Sequence, residues 1–381
     1  MFQDRPTYLK INLDAVLDNY TNIKKSLGGK EVIAVVKADA YGSGARVLVK
    51  YLYSNGVKHF AVSTLEEALE IKEVAPDAFI LVLGIINPMN INYAVGHSLA
   101  ITCPSKEWLK EVVERLDDIN GKLKLHLKID SGMSRIGISS KEEAEAVNKL
   151  LNHEKIELEG MFTHYANSDA DNDEYDKYQR ERFAYLSSFI THKPKYVHHE
   201  NSAATMRYAN ENNDFDMARV GISLYGQYAS DEIGKISDTK LRNVSSLISA
   251  ISHVKEVEAG TKIGYGCTYE TTDKEYIATV AIGYRDGLLR RSQGWSVIIN
   301  GEKCEIVGRV CMDQIMIRCQ SRPKIGDEVL FYGEHNGQEL SVEEFAKYQN
   351  TITYEIFCGI GERVPRRYFV NNREVEIGNV R

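Results

Sequence analysis

Over roughly the first 225 residues, short apolar, β-branched runs alternate with stretches whose apolar positions recur at helical spacing. The runs cover residues 31–36, 58–62, 78–83, 99–102, 123–129, 158–163, 196–199 and 217–220. Between them, 65–74, 105–117 and 141–151 read as helices, with Ser105 and Ser140 placed as N-caps. Strand–helix alternation repeated about eight times predicts parallel βα units. A closed (β/α)8 barrel and an open doubly wound sheet both satisfy it.

The placement of polar residues favours the barrel, whose enzymes gather chemistry at the C-terminal ends of strands all round the ring. Lys37 ends the first run, Lys128 and Asp130 the fifth, and His164 the sixth. Asn201 and Ser202 follow the seventh, and Arg219 lies within the eighth. Beyond about residue 235 the pattern changes to short strands and turns, as in YIATVAIGY, SVIINGEKCEIVGRV and DEVLFYG. The expected fold is therefore α/β: a TIM-like (β/α)8 barrel over 1–235 and a mainly-β C-terminal domain over 236–381, the first few residues being candidates to join the latter. Asn300-Gly301 predicts a two-residue hairpin turn, and Gly308 a bulge.

Length agrees with this division, since 381 residues at about 150 per domain give two domains. The 47 Lys and Arg against 54 Asp and Glu give a net charge of −7 without long single-sign runs, which argues against a nucleic-acid-coating surface and for a small-molecule partner. No apolar stretch approaches the roughly 20 residues a membrane helix requires, and MFQDRPTYLKINLD has neither a basic n-region nor an apolar h-region. The six cysteines show no CxxC and no metal-finger spacing, so reduced thiols in the cytoplasm and no metal site are expected.

Lys37 emerges from the apolar run VIAVV into ADAYGSG. A lysine at the end of a buried strand either snorkels into water or carries a depressed pKa, the state in which an amine attacks a carbonyl. Gly42 and Gly44 just beyond it would let backbone approach a ligand closely. Ser202 after the seventh strand, with Gly221 and Ile222 after the eighth, occupies the place where barrels bind phosphate, although Asn201-Ser202 also reads as a helix cap. An amine facing a phosphate anchor inside a barrel suggests pyridoxal 5'-phosphate.

The segments AVVKADAYGSGA, KIDSGMSRIGI, GMFTHYANSD, HENSAAT, ARVGISLYG, IGYGCTY, AIGYRDGLLR, GRVCMDQ and TYEIFCGI, in order between residues 34 and 360, resemble the alanine racemase family, fold-type III pyridoxal-phosphate enzymes. The resemblance implies interconversion of L- and D-alanine for peptidoglycan by a cytoplasmic homodimer with shared active sites. It implies that Lys37 holds the cofactor through its amine and exchanges protons with one face of the substrate, while Tyr265 serves the opposite face from the other subunit. His164 and Arg219 match the network around that tyrosine, and Arg219 also the partner of the pyridine nitrogen. Tyr41, Ser202, Gly221, Ile222 and Tyr354 match phosphate contacts, and Asn201 adjoins them. Arg135 and the backbone of Met312 match carboxylate-binding groups, Tyr284 lines the entrance with Tyr354, and Lys128 matches a lysine carbamylated in many relatives. Asp313 reads equally as a site residue or a structural carboxylate.

Asp39, Ser43 and Ser134 replace the usual Asn, His and Gly of the family motifs, and Arg285 with Leu288-Leu289 alters another near the expected entrance. These departures bear on access and preference rather than on reaction type. A serine-preferring or broad racemase is the related alternative; a non-catalytic pyridoxal-phosphate carrier is the alternative from another class, and would have no use for Tyr265.

Overall fold

The computed structural model describes residues 5–209 and 215–375. All eight apolar runs are strands. After Tyr8–Asn12 (β1), the chain forms β2 (Glu31–Val35), β3 (His59–Val62), β4 (Phe79–Val82), β5 (Ala100–Cys103), β6 (Leu123–Lys128), β7 (Ile156–Phe162), β8 (Tyr196–His198) and β9 (Met217–Val220). β2 to β8 pair in parallel with their sequence neighbours, and β9 pairs with β2. Backbone hydrogen bonds from Asp216 N–H to Val197 O (2.8 Å) and from Arg219 N–H to Glu200 O (3.0 Å) join the remaining edges. The sheet is thus a closed barrel, not an open one. Helices cover the outside, and Val32, Ile33, Phe60, Ile80 and Leu125 of its strands are fully buried.

Local chemistry sets the helix starts. Ser105 caps Lys106–Leu116 by accepting from Trp108 N–H, and Ser140 caps Lys141–Leu150 by accepting from Glu143 N–H. Thr64 and Glu67 form a reciprocal capping box at Leu65–Val74.

The second compact unit comprises residues 5–14, 41–44 and 243–375, so it takes β1 and the four residues 41–44 from within the barrel sequence. Met1–Asp4, among the first few residues considered for this unit, lie outside the described residues. Its strands are β10 (Ser245–Val257), β11 (Lys262–Ile263), β12 (Tyr269–Glu270), β13 (Glu275–Val280), β14 (Ser296–Ile299), β15 (Glu302–Val307), β16 (Ile315–Cys319), β17 (Glu328–His335), β18 (Gln338–Leu340), β19 (Arg366–Val370) and β20 (Arg373–Val375). β17 pairs with both β14 and β10, closing β10-β13-β16-β15-β14-β17 into a ring. Tyr8, Ile248, Ile298, Leu330 and Leu340 form one of its apolar clusters.

Asn300 and Gly301 have φ of 50° and 86°, the left-handed pair of a two-residue turn between β14 and β15. Gly308 is not a bulge. It ends β15 with φ 69°, and a Cβ there would lie 2.9 Å from Ile263 O. Among the described residues, no helix is long and apolar enough to cross a membrane.

Candidate active site

The C-terminal ends of the barrel strands bring together Lys37, Lys128, His164 and Arg219. Arg219 is 4% exposed and its guanidinium is held on several sides. One terminal nitrogen donates to His198 Nδ1 (2.7 Å) and His198 O (3.0 Å). The other donates to Thr163 O (2.7 Å), His164 Nδ1 (3.2 Å) and His199 O (3.3 Å). Burial pushes Arg219 down to about 9, so it remains a cation at neutral pH. That cation, after burial itself, holds His164 well below the ordinary histidine value, with Lys128, Arg135 and Lys37 adding to the effect. His164 is therefore neutral. Because its Nδ1 accepts from Arg219, its proton sits on Nε2, a donor free for a partner of opposite need.

Lys128 is 2% exposed and donates to Ile129 O (2.8 Å). Burial, reinforced by Arg219, lowers its pKa to about 7. An unprotonated amine is the form that reacts with carbon dioxide, and a carbamate there would exchange repulsion from Arg219 and Arg135 for attraction. Arg135 is exposed on a loop shaped by Asp130, which accepts from Gly132 N–H (3.0 Å) and Ser134 N–H (2.9 Å). Ser134 has φ 56°, which explains why glycine is usual there.

The segment after β2 departs from the expected loop. Ala38, Asp39, Ala40 and Tyr41 all have φ between 52° and 54°, and Gly42 has φ 74°, so residues 38–42 form a turn of left-handed helix. At roughly 1–2 kcal/mol per non-glycine residue this conformation persists only because neighbours impose it. Glu67, one oxygen of which serves the capping box, accepts from Ala38 N–H with the other (2.7 Å). Asp39 accepts from Ala45 N–H (2.7 Å), a role open to the more usual asparagine as well.

Asn201 caps Ser202–Arg207 by accepting from Ala204 N–H (3.0 Å), and Ser202 Oγ accepts from Gly221 N–H (2.9 Å). Helical segments starting at Ser202 and Ile222 thus lie side by side, each with first-turn N–H groups left without intrahelical partners.

In the second unit, the Tyr41 and Tyr354 rings lie 6.0 Å apart, and burial followed by Tyr354 pushes the Tyr41 phenol up. Gly42 O accepts from Arg366 Nε (2.9 Å), and a Cβ at Gly42 would stand 2.5 Å from Phe357 O. Tyr284 and Met312 occupy adjacent loops joined by bonds from Tyr284 N–H to Cys311 O (3.0 Å) and from Arg285 N–H to Met312 O (3.0 Å). Asp286 clamps them: it accepts from Gly283 N–H, Arg5 and Arg363, and these hold it below the usual carboxylate value although burial pushes it up. Asp313 pairs with Arg363 at 2.6 Å and belongs to the same clamp. Leu288, expected near the entrance, is a core residue at 1% exposure, whereas Arg285 is exposed. Tyr265 lies between β11 and β12, flanked by Gly264 and Gly266 at φ 72° and 71°, and is 68% exposed. Of the six cysteines, all are free, and only Cys103, Cys304 and Cys319 are buried. Among the described residues, no group of three or more His, Cys, Asp or Glu is placed to hold a metal ion.

The family model "Alanine racemase, N-terminal domain" matches residues 11–229, and "Alanine racemase, C-terminal domain" matches 244–368. The chain belongs to the alanine racemase family. It is accordingly an amino-acid racemase, an isomerase. Alanine racemase from Staphylococcus carnosus is 42% identical over 369 residues, 96% of this chain and 95% of that protein, and the one from Macrococcus caseolyticus is 37% identical over 380 residues, 98% and 97%. The crystal structure of alanine racemase from Bacillus anthracis with bound L-Ala-P superposes with a TM-score of 0.93 at 39% identity, covering 99% of this chain and 98% of that one. A histidine racemase from Leuconostoc mesenteroides is similar at 26% identity and a TM-score of 0.89, covering 97% and 99%. The alanine racemase fold thus also carries racemases of other amino acids.

Sequence reading missed Glu67, His126, His198 and Glu159. Each looks like an ordinary helix or strand residue until the strands are aligned side by side. His126 and His198 are, like His164, held below the ordinary histidine value, first by burial. The unfolded chain takes up protons near pH 6.5 that the folded barrel refuses, so stability is full above that value and falls as pH drops through it. Each histidine is expected to contribute a slope of up to about 1.4 kcal/mol per pH unit. Urea midpoints measured between pH 8 and 5 should fall below 6.5; a flat midpoint contradicts the buried neutral state.

Proposed function

We propose that this chain racemises alanine with pyridoxal 5'-phosphate, using Lys37 on one face of the substrate and the partner subunit's Tyr265 on the other, in a homodimer. The observation that carries the reading is the neutral, Arg219-bound His164 in the same strand-end cluster as Lys37. The donor set fits the cofactor. Lys37 supplies the amine that would hold it, Arg219 a buried cation for its ring nitrogen, and the segments starting at Ser202 and Ile222, with Asn201 as cap, supply amides for its phosphate. Gly221, whose N–H is held by Ser202 Oγ, adjoins these amides.

When bound, pyridoxal phosphate supplies an electron sink that makes the substrate Cα–H acidic. Arg219 keeps its own protons, so it would offer the ring nitrogen a hydrogen bond without protonating it. Lys37 Nζ takes or returns the proton on its face. The phenol of the partner subunit's Tyr265 does so on the other, and its ionised state is supported by the Nε2–H that neutral His164 offers. Arg135 holds the substrate carboxylate, with carbamylated Lys128 orienting it. Tyr284 lines the entrance. The Asp286 clamp, by tying the Tyr284 and Met312 loops to Arg5 and Arg363, fixes the surface they present. The product D-alanine would enter peptidoglycan, and free cysteines suit a reducing cytoplasm.

The test is a side-by-side circular-dichroism assay of L-alanine, L-serine and L-histidine with the cofactor-loaded chain. L-Alanine is expected to lose its signal fastest. Faster turnover of serine or histidine would reassign the substrate, and no turnover of any, with cofactor bound, would indicate a carrier.

A further inference from the structure

The contacts of Arg219 do not stop at the strand ends. His198 Nε2 lies 2.7 Å from His126 Nδ1, and His126 Nε2 lies 3.4 Å from Glu159 Oε2. The other Glu159 oxygen is 3.6 Å from Lys124 Nζ. Glu159 and Lys124, with Phe79, Lys195 and Tyr196, line a pocket of about 610 Å³ at the N-terminal end of the barrel, opposite Lys37. A continuous line of side chains therefore crosses the barrel from Arg219 to its far mouth.

The proton arrangement along this line follows from donor chemistry. A guanidinium only donates, so His198 Nδ1 must accept and neutral His198 carries its proton on Nε2. That proton points at His126 Nδ1, which must also accept, so neutral His126 carries its proton on Nε2 and gives it to Glu159. Remove the terminal acceptor and the Nε2 proton of His126 is left buried without a partner, so that tautomer loses its advantage over the one with the proton on Nδ1. Two donors would then face each other, and the conflict propagates to the nitrogen that Arg219 needs bare. The protein also makes room for the line. His126 and His198 are fully buried, and His198 stacks on Phe162 at 4.8 Å. Gly160, opposite His126 in the β6–β7 ladder, is required, because a Cβ there would lie 2.2 Å from His126 Nδ1. Burying two imidazoles costs free energy unless every polar atom is satisfied, and a simple barrel core has no use for them.

We propose that Glu159 is a positioning residue for Arg219, fixing through His126 and His198 the tautomer that leaves His198 Nδ1 as its acceptor. The proposal rests on the reading of Arg219 as the contact of the cofactor ring. It makes a carboxylate at the opposite mouth part of the machinery that sets how firmly that cation is held.

The test compares Glu159→Leu with Glu159→Gln, whose amide oxygen can still accept from His126, in cofactor-loaded full-length enzyme. Nitrogen-15 NMR of labelled histidine, with His198→Asn for assignment, reads the tautomers directly. Glu159→Leu is expected to move the His198 proton off Nε2, shift the visible absorption of the bound cofactor, and lower kcat/KM for alanine about tenfold, the size typical of a change within a coupled network. Glu159→Gln should retain the tautomer and most of the activity. Gly160→Ala, which displaces the His126 ring, should resemble Glu159→Leu. An unchanged His198 tautomer in folded Glu159→Leu overturns the proposal, as does a changed tautomer with unaltered absorption and kcat/KM, or a Glu159→Gln protein as impaired as Glu159→Leu. Failure of the functional reading appears separately, as absence of alanine turnover in the unaltered chain; the tautomer measurement then still decides whether Glu159 sets the line.

Discussion

Lys37→Ala is expected to abolish alanine racemisation, by about ten-thousandfold or more, and to remove the visible absorption of the cofactor-loaded protein. The loss is large because the residue carries two functions on one atom: attachment of the cofactor and proton exchange at one face of Cα. Lys128 cannot take over. It stands at the end of a different strand, β6, and the left-handed turn that follows Lys37 has no counterpart there. Lys37→Arg separates the amine from its charge, since a guanidinium keeps the cation and lacks the nucleophile. Both variants are expected to be colourless and inactive, by absorption spectroscopy and circular dichroism. A coloured Lys37→Ala protein would place the attachment elsewhere.

The second large effect is directional. Tyr265→Ala should lower net racemisation by about a hundred- to ten-thousandfold, the contribution of one positioned acid–base group, while leaving cofactor binding intact. In deuterated water, the enantiomer whose Cα–H faces Lys37 should go on exchanging with solvent. The other enantiomer should lose exchange nearly completely. Mass spectrometry of each recovered enantiomer checks this, and small, equal losses for both would refute a two-face scheme.

Much of this was legible in the sequence, for particular reasons. The eight strands announced themselves because a parallel barrel strand is covered on both faces and reads as a continuous apolar run; polar residues such as Lys37, His164 and Arg219 then stand out at the ends of those runs. Asn300-Gly301 was legible because few other residue pairs accept two successive left-handed conformations. The left-handed turn at 38–42 was not. Ala38 and Ala40 are good helix formers of the ordinary hand, and what reverses them is long-range: Glu67 reaches Ala38, and Phe357 lies close against Gly42. The His126–His198 line was hidden for a similar reason, since its members are 72 residues apart and meet only through strand pairing. The membership of Tyr41–Gly44 in the second unit is likewise decided by packing against Phe357 and Tyr368, which no local pattern signals. Leu288 shows the opposite hazard: a motif position expected near an entrance is buried in the core.

The central claim, that an amine from one chain and a phenol from another flank one substrate, is tested most directly by mixing subunits. Lys37→Ala and Tyr265→Ala proteins are each expected to be inactive as homodimers. Dissociated and reassociated in equal amounts, about half of the dimers should be hybrids, each with one complete site of two, restoring roughly a quarter of the unaltered activity. A mixture that forms hybrids, verified by native mass spectrometry, yet recovers no activity would contradict the shared site.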